Sequence, residues 1–166
     1  MLQASGIDTG SAADRIVGSG TITAHIPREV TLVYPRLFLT VGGAVLLLLG
    51  IVGYLNVFTE SGTPAFWLDS GENVAHTVLG IVALAAVFVP GLNTALAPYY
   101  RAIVGLVGVI ALFFAVYGFL QAGAPEPNTF GVANLENPSD NILHLVVGIA
   151  AFAAVYMKSG EGTAAS

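Results

Sequence analysis

The sequence predicts an all-α integral membrane protein, a four-helix bundle made of two parallel two-helix repeats. Three observations predict it. Hydrophobic residues make up 55% of the 166 positions and charged residues only 9%, with a mean hydropathy of +0.82; a soluble domain carries nearer a quarter charged residues. Four apolar runs, separated by polar or Pro- and Gly-containing segments, divide the chain. One stretch also occurs twice. Glu72-Asn73-Val74-Ala75-His76 with Gly80 returns as Asp140-Asn141-Ile142-Leu143-His144 with Gly148, each position displaced by 68 (73 to 141, 76 to 144, 80 to 148).

Residues 1–33 are a polar extension containing Gly, Ser and Thr and punctuated by Pro27. They read as a flexible cytoplasmic tail or as an arm lying on a partner subunit. Residues 1–19 lack the basic and apolar regions of a cleaved signal peptide, so the first transmembrane helix is expected to direct insertion. The bundle is expected over 34–158. Its first run, 37–58, carries no charge and is long enough to span about 30 Å of hydrocarbon. Gly43, Gly50 and Gly53 give it a small face on which another helix can approach closely. The first loop, 56–71, contains Pro64 and the aromatic pair Phe66-Trp67, suited to the headgroup level. The second run, 74–89, starts at the first motif and stops at Pro90-Gly91.

A loop through Pro98 leads to the third run, 102–120, where Gly105, Gly108, Ala111, Ala115 and Gly118 repeat the small face. The small faces of the first and third runs predict a close central contact between those helices. Arg36, Gly43, Leu47, Gly53 and Leu55 match Arg101, Gly108, Leu112, Gly118 and Leu120 at an offset of 65 (36 to 101, 53 to 118). The duplication therefore takes in two helices per copy, repeat one at 36–90 and repeat two at 101–157. Residues 121–139 form a second long loop. Ser139 or Asp140 is the expected N-cap of the fourth run, 141–157. Residues 159–166 are a short polar tail.

Charge sets the expected topology. Arg15, Arg28 and Arg36 precede the first helix, Arg101 sits in the middle loop and Lys158 follows the fourth helix, while the two long loops have no Lys or Arg. By the positive-inside rule both termini and the middle loop are cytoplasmic, and the long loops, with Glu60, Asp69, Glu126 and Glu136, face outside. The expected location is the cytoplasmic membrane or an internal energy-transducing one. Two helices return the chain to its starting side, so the copies are parallel, related by an axis along the membrane normal. The net charge of −5, without clustered Lys and Arg, excludes nucleic acid as a partner. The lipid bilayer and partner membrane subunits are the expected partners. The absence of cysteine excludes disulfides, thiolate nucleophiles and thiolate metal sites.

Two motifs, Asn73-Val74-Ala75-His76 with Gly80 and Asn137-Pro138-Ser139-Asp140-Asn141-Ile142-Leu143-His144 with Gly148, carry a family resemblance. Over roughly 36–157 the chain resembles a bacterial family of four-helix membrane proteins known as domain of unknown function 4383. The resemblance implies a four-helix bundle and no particular activity.

The paired histidines admit two readings. In the structural one, Asn73 with His76 and Asn141 with His144 share a helix face, hydrogen-bond and tie the loop to the helix top; Glu72 and Asp140 sit favourably at the helix N-termini. In the other, His76 and His144 are axial ligands of a tetrapyrrole, haem or chlorophyll. Gly80 and Gly148 would then supply flat space for the ring, with Asn73 and Asn141 orienting the imidazoles. A zinc site would require both histidines and two carboxylates to come together at the outer face, and no metal site is assigned. No Asp, Glu, Lys or Arg lies in the middle of a run, where proton relays and ion carriers place ionisable groups. The serines lie outside the runs, which argues against an intramembrane protease, and no nucleotide-binding motif is present. The expected function is therefore non-catalytic, a structural or accessory subunit of a larger membrane assembly, with tetrapyrrole binding as the alternative.

Overall fold

The first helix begins before its apolar run does. Arg36 N–H bonds to Leu32 O at 3.0 Å, and Pro35 falls in the first turn, where a missing N–H leaves no intrahelical bond unmade. The computed structural model describes residues 32–55 and 67–157. The expected amino-terminal extension, most of the first loop and the carboxyl-terminal tail lie outside the described residues. The helices among them are α1 (Val33–Tyr54), α2 (Ser70–Phe88), α3 (Pro90–Leu96), α4 (Tyr100–Leu120) and α5 (Ser139–Tyr156), with a 3-10 turn at Ala97–Tyr99. Four stretches are long and apolar enough to cross a membrane: α1, α2, the continuous Pro90–Leu120 and α5. The all-helical, four-span architecture is as expected.

Several boundaries are not. The α2 helix starts at Ser70, four residues before its apolar run, because Asp69 and Glu72 make a capping box. Glu72 N–H donates to Asp69 Oδ1 at 2.9 Å, and Asp69 N–H donates to Glu72 Oε2 at 3.2 Å. Pro90 ends α2 and also opens α3, since Pro suits the first turn of a helix; the expected plain loop is thus a short helix and a 3-10 turn. The N-cap of α5 is Pro138, with no side-chain cap bond, rather than Ser139 or Asp140. Asp140 instead lies in the first turn, where its Oδ2 accepts the N–H of Glu136 at 2.9 Å.

The expected central contact between the first and third small faces is replaced by two helical hairpins. Gly43 of α1 packs against Ala83 and Leu84 of α2, and Gly50 and Gly53 pack against Thr77 and Asn73. Likewise Gly108 of α4 packs against Ala151 and Phe152 of α5, and Gly118 against Asn141. Each small face is taken by the next membrane helix in the chain, the neighbour that a helical hairpin brings alongside.

The two hairpins join through α1, which touches both α4 and α5. Their shared core lies at the end carrying α3, the connector end. Leu39, Val87, Tyr100, Val104 and Ala151 pack there, each at most 5% exposed. The Tyr100 hydroxyl, 2.7 Å from Ala86 O, donates to the last turns of α2. Arg101 donates to Val155 O, satisfying a carbonyl in the last turn of α5. Away from this core the helices expose large apolar residues along their length, among them Leu48, Val82, Leu106, Val116 and Ile149.

Candidate functional site

At the opposite end, the loop end, residues 121–138 fold over the first turns of α2 and α5. Asn128 organises the loop. Its Oδ1 accepts the Leu135 N–H at 2.9 Å, its Nδ2 donates to Leu135 O, and its own N–H donates to Asn134 Oδ1. Gly131 takes a left-handed conformation, φ 75°, at the turn. Phe130 beside it stacks on Tyr117 of α4, with ring centroids 4.9 Å apart. The loop is fastened to α2 as well. Asn134 N–H donates to Asp69 Oδ2 at 2.6 Å, and Gly71 leaves room for Val132 O and Ala133.

This arrangement gathers carboxylates. Oxygens of Glu72, Glu136 and Asp140 all lie within 4.8 Å of one another. Glu72 and Asp140 come from the equivalent first turns of α2 and α5, and Glu136 comes from the loop. Asp140 is buried, and Glu72 and Glu136 are partly so. Both Glu136 carboxylate oxygens are shielded and accept no hydrogen bond. Burial above all, then Asp140 and Glu72 beside it, push Glu136 up to about 9. A cleft of about 350 Å³, lined by Glu126, Asn128, Glu136 and Asn137 among others, reaches this residue.

The motif asparagines directly follow Glu72 and Asp140, and the histidines lie about one turn further along. Asn73 is 5% exposed and Asn141 fully buried. Neither shares the expected hydrogen bond with its histidine. Asn73 Nδ2 donates to Leu68 O at 3.4 Å, and Asn141 Nδ2 donates to Asn137 Oδ1 at 3.0 Å. Their Oδ1 atoms have no N–H or O–H partner and press on glycines of the neighbouring helix. A Cβ added at Gly53 would stand 1.7 Å from Asn73 Oδ1, and one at Gly118 would stand 1.7 Å from Asn141 Oδ1. An oxygen so close to a glycine Cα receives a Cα–H···O contact, and the recurrence of the geometry in both hairpins is its best support. The Asn of the motif fastens the loop above it and the partner helix beside it.

His144 Nδ1 lies 2.8 Å from Asp140 O. A carbonyl only accepts, so Nδ1 is the donor. The ring packs beside Phe114, with centroids 5.7 Å apart. His76 Nδ1 is buried without a partner, and this side chain lies within electrostatic reach of His144, Asp140 and Asp69. The structure thus brings the two histidines toward each other and toward the carboxylates.

The space expected for a tetrapyrrole along Gly80 and Gly148 is filled. A Cβ at Gly80 would stand 2.5 Å from Leu47 N of α1, and one at Gly148 would stand 2.6 Å from the Leu112 side chain of α4. These glycines admit a neighbouring helix.

Glu136, Asp69 and Asn134 were not expected among the site residues. Asp69-x-x-Glu72 is legible as a capping box, but nothing in the local pattern around Glu136 places it against α2. No family model matches the chain, and no similar curated protein or solved structure was found.

Proposed function

We propose that this chain is a non-catalytic integral membrane protein, a structural or accessory subunit of a larger membrane assembly. The observation that carries this reading is the distribution of apolar surface. Large apolar side chains are exposed on α1, α2, α4 and α5, while the core joining the two hairpins is confined to the connector end. Such surface suits lipid, and stretches of it suit other transmembrane helices. The motif residues that promised chemistry are engaged in packing, since Asn73, Asn141, Gly80 and Gly148 hold each hairpin together. The matching contacts of Gly53 with Asn73 and Gly118 with Asn141 support two copies of one parallel hairpin unit. Both termini are assigned to the cytoplasm on the charge asymmetry of the loops.

A photo-crosslinking side chain placed in turn at Leu48, Val82, Leu106 and Ile149, on the exposed faces of the four spans, tests the reading in native membranes. A discrete protein adduct from at least one face is expected. Adducts to lipid alone from all four faces would contradict a subunit role. Thiols introduced at Ser61 and Asn128 should react from outside and one at Ser159 should not; the reverse pattern would invert the topology.

A further inference from the structure

Three carboxylates meeting at the loop end need either protons or a cation. Glu72, Glu136 and Asp140 approach within 4.8 Å, and carboxylates so close do not all ionise without compensation. The arginines among the described residues are at the other end, Arg36 and Arg101 in the first turns of α1 and α4. Among the described residues, the donors bonded to these carboxylates and to Asp69 are backbone N–H groups. Asp69 receives those of Glu72 and Asn134, Glu72 receives that of Asp69, and Asp140 receives that of Glu136. Among the described residues, nothing donates to the Glu136 carboxylate. Its neighbour in hydrogen-bonding reach is the carboxyl of Asp140, and two carboxyls bond to one another only when one of them carries a proton.

We propose that the loop end is a proton-binding latch: Glu72, Glu136 and Asp140 share protons while residues 121–138 are docked, and loss of those protons releases the loop. One of the three, Asp140, also fastens the loop, and so does Asp69 beside Glu72. Asp140 holds the Glu136 N–H, and Asp69, in the capping box with Glu72, holds that of Asn134. Among the described residues, the titratable groups facing the trio are Asp69 at the cap of α2, His76 from α2, His144 from α5 and Glu126 from the loop. An imidazole gains charge only on acidification, so neither histidine compensates the trio as pH rises. The cleft lined by Glu136 gives solvent protons a way in. Glu136 is raised from 4.5 to about 9 in the docked loop. A group raised on docking favours the docked state fully below its ordinary value, and that contribution fades as pH climbs through the raised one. The latch therefore holds in acid and loosens toward about pH 9.

The chain has no cysteine, so single thiols report single positions. Leu135→Cys reports a position buried in the docked loop, and Val132→Cys an exposed one; the ratio of their labelling rates removes the intrinsic pH dependence of the thiol. In the full chain in lipid nanodiscs, that ratio is expected to rise about tenfold or more between about pH 6 and pH 9.5. With Glu136→Gln added it should stay low throughout, and Glu72→Gln should flatten the rise independently should the first variant fail to fold by circular dichroism. A ratio insensitive to pH in the unsubstituted background, or an unchanged rise in a folded variant, overturns the proposal. So does restoration of the low ratio at pH 9.5 by millimolar calcium or magnesium, which would show that the trio holds a cation in place of protons.

Discussion

The α1–α2 and α4–α5 hairpins use the same short motif under different mechanical conditions. In the first, Gly80 faces helix backbone, Leu47 N and Gly43 O; in the second, Gly148 faces mainly the Leu112 side chain. Asn141 is fully buried with a 3.0 Å bond to Asn137, whereas Asn73 makes a 3.4 Å bond to Leu68 O. His144 is bonded to Asp140 O and flanked by Phe114, whereas His76 has a buried, unpartnered Nδ1. A rigid neighbour turns a small residue into a strict requirement, and a flexible one leaves room for adjustment. The first hairpin is the stricter in its backbone approach, and the second is the better satisfied in its polar contacts.

The glycines give the largest contrast. Gly80→Ala forces α1 and α2 apart, because a Cβ there meets backbone at 2.5 Å; about 3 kcal/mol of helix-pair stability should be lost through overpacking. Gly148→Ala meets a side chain that can turn aside, and about 1 kcal/mol should be lost. Unfolding of both variants in mixed detergent micelles measures the difference. Equal losses would mean that the two hairpins are equally tight.

The asparagines come next. Asn141→Ala removes a buried hydrogen bond and the contact with Gly118, and about 1.5 kcal/mol should be lost. Asn73→Ala, with its longer bond, should lose about half as much. The same unfolding assay checks the order, and a larger loss at Asn73 would reverse the ranking of the polar contacts.

The histidines are the smallest and the sharpest. His144→Ala should lose about 1 kcal/mol, the net worth of one hydrogen bond. His76→Ala should be within about 0.5 kcal/mol of neutral, since it removes a buried nitrogen that has no partner. If the two imidazoles instead ligated a common group, both replacements would cost alike and would abolish the same absorption band.

Much of the fold was legible because lipid enforces it. A backbone in hydrocarbon must satisfy itself in helices, so four apolar runs predicted the four helical stretches long and apolar enough to cross a membrane, and the motif spacing marked Asn73 and Asn141 as equivalent positions, both of them buried. Helix starts were less legible. Pro35 and the capping residue Asp69 extend helices into polar sequence that an apolar run does not mark. The partner of each small face was also hidden, because glycine spacing says that a helix approaches and not which one. The carboxylate cluster was the least legible. Glu136 reaches Glu72 only through the folding of a Pro- and Asn-containing loop, and no periodicity encodes that.

The subunit role is tested most directly by the native mass of the protein released gently from its membrane. A particle of fixed stoichiometry, larger than the 17.0 kDa chain and containing at least one other membrane protein, is the expected result. A lone 17.0 kDa monomer at every protein-to-detergent ratio would contradict it.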